Sequence, residues 1–315
     1  MIRKLYLSIS MFIILFFIAT TFTYAWFSMA TTNSVEELTL MTYSDSQLEI
    51  SVDGINYYNN LPYELLLNKV KDVKFTDITS TDGINFSYGI RKKNDQVIIN
   101  KDYISIDFYF RTTSPFAHLV YLSNNVTNEV TYENLKPGTF ITSKGRTFKS
   151  DIDFLYGPDE MILKNEVKTF YAKDSIRVST IERPIDERDE RNDYLVKIFD
   201  LTENPGRGYG LPYGSFDYYN KKVGELELPT KFPNTINKLS EFSQEGPFAF
   251  DDTSHILTLI KTDNRGGPHN MVYYEGKITL NIWTEGWDVD LFDSVFNDHV
   301  KMQFEFKTVH EIINK

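Results

Sequence analysis

Tyr273-Tyr-Glu-Gly-Lys-Ile-Thr-Leu-Asn-Ile-Trp283 and Val300-Lys-Met-Gln-Phe-Glu-Phe306 decide the fold class. In the first, Ile278, Leu280 and Ile282 fall on one face. In the second, Val300, Met302, Phe304 and Phe306 do the same. Side chains on a strand alternate between faces, so each stretch reads as a strand with one buried side. Tyr103-Ile-Ser-Ile-Asp-Phe-Tyr-Phe110 repeats the pattern through Ile104, Ile106, Phe108 and Phe110. Weaker strands are expected at Val35–Met41, Leu48–Val52, Gln96–Ile99, Leu119–Leu122, Ser175–Ile181, Tyr194–Phe199 and Ile256–Lys261. Asp53-Gly54 and Asp82-Gly83 are turn dipeptides. Helix signals are few and short, at Pro62–Val70 and Leu291–Phe296. The expected class is mainly β, an antiparallel β-sandwich or jelly roll with long loop insertions. The strands at 278–282 and 300–306 should bury Ile278, Leu280, Ile282, Phe304 and Phe306 in one core.

Residues 5–35 carry no charged side chain, and Arg3 and Lys4 stand in front of them. A basic start, an apolar run from Leu7 to Phe22 and small residues at Thr23 and Ala25 have the form of a secretory signal. Roughly 20 apolar residues would also span a bilayer as a helix. The positive-inside rule keeps Arg3 and Lys4 in the cytoplasm. Residues 1–25 are therefore read as a signal peptide or membrane anchor, and 26–315 as the exported domain. The expected cut lies between Ala25 and Trp26, with a second possibility after Ala30. The expected location is extracellular or on the cell surface, and an uncleaved segment would hold the chain in the membrane.

The chain is acidic, at −11, and losing the positive charges of Arg3 and Lys4 takes it to −13. That disfavours nucleic acid and anionic lipid as partners of the body. The 20 Tyr and 24 Phe favour strands and large cores. No cysteine is present, which excludes thiol catalysis, cysteine-ligated zinc and disulfide staples. The mixed-charge run Ile185–Asp193 reads as an exposed hairpin tip. The stretch 204–250, rich in proline and glycine, reads as mostly loop and marks a candidate boundary between lobes. No fixed-period repeat is recognised.

Chemical motifs are sparse. Gly206-Arg-Gly-Tyr-Gly210 has nucleotide-loop spacing, but Pro212 blocks the helix such a loop needs, so it reads as a plain loop. The histidines at 118, 255, 269, 299 and 310 form no i,i+4 pair. No nucleophile elbow occurs. In Glu285-Gly-Trp-Asp-Val-Asp-Leu-Phe-Asp293, Asp288, Asp290 and Asp293 are weighed as Ca²⁺ ligands. The EF-hand pattern fails at Asp293 and His299, and the simpler reading is that Asp288 or Asp290 caps a helix over 291–296. No catalytic residue and no cofactor is assigned.

Thr23-Tyr-Ala-Trp-Phe-Ser28, directly after the apolar run, resembles the export signals of TasA- and camelysin-type proteins of Firmicutes and related low-GC bacteria. The block Ile278–Phe296 with the strand after it is similar to one in surface proteins of such bacteria, and Asn134-Leu-Lys-Pro-Gly138 echoes a turn of the TasA group. The resemblance covers about a fifth of the chain. It implies cleavage after Ala25 by an ER-type signal peptidase, and a β-sandwich envelope or matrix protein that can form fibres. A structural or adhesive surface protein is thus the leading expectation, with itself as a partner through exchange of strand Val35–Met41. The alternative is a carbohydrate-binding module for surface polysaccharide, using Tyr57-Tyr58, Tyr218-Tyr219, Tyr273-Tyr274 and Trp287. A secreted glycoside hydrolase ranks third.

Overall fold

The alternating stretches do form the longest strands. The computed structural model describes residues 9–17, 33–42, 47–91, 96–187, 189–267 and 269–313. In chain order the main strands are β1 (Asn33–Thr42), β2 (Ile104–Thr112), β3 (Leu119–Ser123), β4 (Phe140–Ser143), β5 (Ile176–Arg183), β6 (Val196–Phe199), β7 (His255–Thr258), β8 (Ile260–Gly266), β9 (Met271–Glu285) and β10 (His299–Val309). Shorter strands extend the two large sheets or form separate pairs, Arg146–Lys149 with Val167–Phe170 and Phe154–Gly157 with Glu160–Ile162. Among the described residues 43% are strand and 13% helix, in several sheets with no barrel, so the protein is mainly β.

Two sheets carry the core. In the first, β10 is central, with β3 and β4 on one side and β1 on the other, and β7 lies outside β3. In the second, β9 pairs with β2 on one side and with β5 and then β8 on the other. Ile278, Leu280 and Ile282 of β9 and Phe304 and Phe306 of β10 are all fully buried in one cluster. They come from different sheets. The rings of Phe110 and Phe306 meet edge to face at 5.1 Å, so the sheets pack against each other across this core.

The pairing is mixed rather than purely antiparallel. β1 runs parallel to β10, from Ser34 opposite His299 to Thr42 opposite Phe306, with a bulge between Val35 and Glu37. A hairpin can join only antiparallel strands, and here the crossover between parallel partners is nearly the whole chain. Leu38 and Leu40 of β1 lie in the shared core. On its other side β1 pairs with Asn60–Leu61 and Lys74–Phe75. α2 (Tyr63–Val70) connects these two short strands and buries Leu66 and Val70; α1 denotes residues 9–17.

Two local expectations are corrected, and a third gains a helix. Residues 291–296 are turns, not a helix. Leu291, Phe292, Val295 and Phe296 are all buried and Asp293 is partly exposed; packing of these side chains in the core overrides the local helix signal. The stretch 204–250 is mostly loop and turn, as expected, but it also holds α3 (Ser215–Val223), bounded by Gly214 and Gly224. Tyr218 and Tyr219 of α3 enter the main core. Gln96–Ile99 makes only an isolated bridge, Ile99 to Tyr103. The charged run after β5 does sit at a hairpin, because β5 and β6 pair antiparallel.

The two Asp-Gly dipeptides belong to one device used twice. Ser51-Val-Asp-Gly-Ile-Asn56 and Ser80-Thr-Asp-Gly-Ile-Asn85 match at five of six positions, differing only at Val52 and Thr81. Asp53 Oδ1 accepts the amides of Ile55 and Asn56, each at 2.8 Å, and the Gly54 amide donates to Ser51 Oγ at 3.0 Å. Asp82 Oδ1 accepts from Ile84 and Asn85 at 2.9 and 2.8 Å, and Gly83 donates to Ser80 Oγ at 2.9 Å. Both glycines have φ near +70°, where a Cβ is unfavourable. Both turns rest on the outer face of the second sheet, Gly54 against the Tyr109 ring and Gly83 against Ser179. These amides hold Asp53 well below the usual carboxylate range. Burial alone would raise Asp82, but the Asn85 and Ile84 bonds bring it down to about 2.

Candidate functional site

The acidic block after β9 is the first place to look for chemistry. Its carboxylates diverge. Asp288 is fully buried and bonds Arg177 of β5. The same guanidinium pairs with Asp200 at 2.9 Å, and Arg177 itself is 2% exposed. Asp290 accepts from Arg207 Nε at 3.0 Å and Nη2 at 2.5 Å. Asp293 accepts from the phenols of Tyr218 and Tyr219 at 2.9 and 3.0 Å, and from Lys222 Nζ at 3.0 Å. The three acids weighed for Ca²⁺ thus serve three different partners. Among the described residues no group of three or more histidine or acidic side chains gathers as a metal cluster. Neither Asp288 nor Asp290 caps a helix. Asp288 Oδ1 instead accepts the Asp290 amide at 2.9 Å and closes a turn.

Burial shapes the electrostatics of this block. It pushes the Asp288 carboxyl well up, and Arg177 pulls it back. Burial likewise raises Glu285, whose Oε2 accepts from Trp283 Nε1 at 2.9 Å. Burial works against the Arg207 cation, yet its Asp290 bonds outweigh that and raise its pKa. Such a network holds strands and loops in one arrangement. Arg207 comes from the glycine-spaced loop 206–210. That loop is pinned to the acidic block: Arg207 reaches Asp290, Tyr209 bridges Asp288, and the Gly210 amide donates to the Trp287 carbonyl at 2.8 Å. The sequence shows two unrelated segments, and the fold docks them together.

The tyrosine pairs do not form one sugar platform. Tyr218 and Tyr219 are buried. Arg111 lies 3.9 Å from the Tyr57 ring centre and 4.3 Å from that of Tyr273. Tyr274 stacks on His118 at 3.9 Å. Tyr58 and Trp287 pack, partly buried, against the core. Ala25 and Trp26, the expected cleavage pair, lie outside the described residues.

An open cavity lies elsewhere, on the outer face of the first sheet. Because Met302, Phe304 and Phe306 face the core, Glu305 and Lys307 of β10 point outward. The segment 236–250 runs over this face and forms the groove wall. One depression, about 720 Å³, reaches from Gln47 and Ser114 to Gln244. A second, about 460 Å³, is lined by Asn124, Glu203 and Glu305. Phe242 and Lys307 border both. Sequence reasoning missed this site because no motif marks it. Its residues come from five separate stretches of chain. Comparison of the chain with known protein families, curated proteins and solved structures finds no match.

Proposed function

We propose that the chain is an exported structural or adhesive protein of the cell envelope or matrix, a β-sandwich scaffold delivered outward by its N-terminal apolar run. One observation carries this reading. Residues 9–17 are helical, and all their large apolar side chains, from Ile9 to Phe17, are 48–71% exposed, whereas the body keeps most of its large apolar side chains buried. Each such side chain gains about 1.5–3 kcal/mol on leaving water. A helix this apolar and this exposed fits a membrane or an export channel, not a surface in water. Among the described residues no helix is long and apolar enough to cross a membrane. The apolar sequence itself continues past residue 17. The resemblance at Thr23–Ser28 supports the same reading.

Assembly into fibres through β1 is the finer form of the proposal. In the single chain, β1 completes its own sheet beside β10. An exchanged β1 would make the same ladder with a second copy. The test is N-terminal sequencing of protein recovered outside the cell, with negative-stain microscopy of the same material. A start at Trp26 is the expected result, and an intact Met1 end in the membrane fraction makes residues 5–25 a permanent anchor. Protein retained in the cytosol with Met1 in place refutes export. Material that is monodisperse and fibre-free at all concentrations refutes assembly.

A further inference from the structure

We infer that the groove across the outer face of the first sheet is an oligosaccharide-binding site, with Glu305 in its floor accepting a sugar hydroxyl. The inference goes beyond a purely structural role and concerns the folded body alone. Glu305 points away from the core, yet it is only 6% exposed. Its hydrogen bonds are long: Ser123 Oγ at 3.4 Å and Asn124 Nδ2 at 3.3 Å. Ser123 Oγ also divides itself with the Glu305 carbonyl, at 3.3 Å. An ionised carboxylate offers about four acceptor positions. Two distant donors leave such a group under-served in a place where water access is small. Burial accordingly outweighs the help from Asn124 and Ser123 and raises the Glu305 pKa. A ligand hydroxyl at normal distance would supply the missing charge-assisted bond.

The rest of the groove suits the same ligand. Its walls combine amides (Gln47, Gln244, Asn124), hydroxyls and carboxylates with one aromatic ring, Phe242, at the junction of the two depressions. Sugars need this mixture of hydrogen-bonding groups with a ring to pack on. Lys238 and Lys307 offset Glu203 and Glu305 in the lining, so a neutral polyhydroxyl ligand suits the groove better than a phosphate polymer, which the chain's charge of −11 also opposes. Each depression lies within the usual range for ligand sites, about 300–1,000 Å³. The wall is held in place before any ligand arrives. Phe248–Ala249 pairs with Glu311–Ile312, the His310 amide donates to the Pro247 carbonyl at 2.6 Å, and the Phe242 ring meets Tyr121 edge on.

The experiment is titration of the full chain, held in a detergent without sugar headgroups, against a panel of defined soluble oligosaccharides of neutral hexoses, amino sugars and uronic acids. Calorimetry or ligand-observed NMR reads binding. At least one class should bind. Glu305→Gln should weaken that binding about tenfold or more, as loss of a charged hydrogen-bond partner does. Gln244 is exposed on the rim, and Gln244→Ala should weaken binding while leaving the melting temperature unchanged. That second variant keeps the test valid if Glu305→Gln perturbs folding. No binding across the panel overturns the inference, and so does binding that both folded variants retain at wild-type strength.

Discussion

Removing the Arg177 guanidinium should destabilise the protein more than any comparable change at its surface. Arg177 is 2% exposed and faces two buried carboxylates, Asp200 at 2.9 Å and Asp288. At an effective dielectric of about 20, a pair at that distance attracts by roughly 6 kcal/mol, much of which desolvation takes back. Breaking the arrangement by Arg177→Met leaves both acids buried without their cation, and such losses run to about 3–5 kcal/mol. Against a typical total of about 5–15 kcal/mol, that is a large fraction. Denaturant unfolding followed by fluorescence reads the change as a shift in midpoint. Adding Asp200→Asn and Asp288→Asn to Arg177→Met should recover much of the loss, since the stranded charges are gone. The pH dependence has a definite sign. The Asp288 pKa is raised by burial above its ordinary 3.8. A raised carboxyl favours the fold below the unfolded value, and that contribution is lost as pH rises through the folded value. Without Arg177 the rise grows, so the Arg177→Met penalty should be greatest near neutrality and shrink in acid. A loss within about 0.5 kcal/mol, the range of ordinary surface changes, would refute the reasoning. So would a triple variant no more stable than the single one.

Three further outcomes are expected. Phe304 is fully buried between the sheets, so Phe304→Ala should cost about 3–5 kcal/mol in chemical unfolding. The twin turns should separate under substitution: a Cβ at Gly83 would lie 2.8 Å from Ser179 Cβ, but one at Gly54 meets the Tyr109 ring at 3.3 Å. Both pay the left-handed backbone cost of roughly 1–2 kcal/mol, and Gly83→Ala should lower the melting temperature further than Gly54→Ala. Deleting residues 26–41 takes away most of β1, including Leu38 and Leu40, and should unfold the isolated chain by circular dichroism; a shortened protein that stays folded would show that β1 is dispensable to its own sheet.

Much of the strand framework was legible in the sequence. Alternation at 104–110, 273–283 and 300–306 marks β2, β9 and β10, because a two-sided sheet writes its buried face directly into residue order. Short or irregular elements were not legible in the same way. Residues 291–296 are apolar enough to suggest a helix, yet most of them are packed into the core and turn instead. The nine residues of α3 sit among prolines and glycines that signal loop, and only its boundary residues Gly214 and Gly224 hint at the helix. The doubled Ser-x-Asp-Gly-Ile-Asn turn was visible in the letters, and comparing the two Asp-Gly sites with their flanks would have found it.

By itself, the order of residues determined the long alternating strands, which face of each is apolar and that the N-terminal run is too apolar for a surface in water. Those properties depend on neighbours along the chain. Only the tertiary structure decided that β1 lies parallel beside β10, that Arg207 closes on Asp290, and that Gln47, Asn124, Phe242 and Glu305 border a common groove. These are contacts between stretches far apart in sequence, and no local periodicity records them. They follow from burying two apolar sheet faces against each other, which leaves the outward side chains to meet whatever the crossing segments bring.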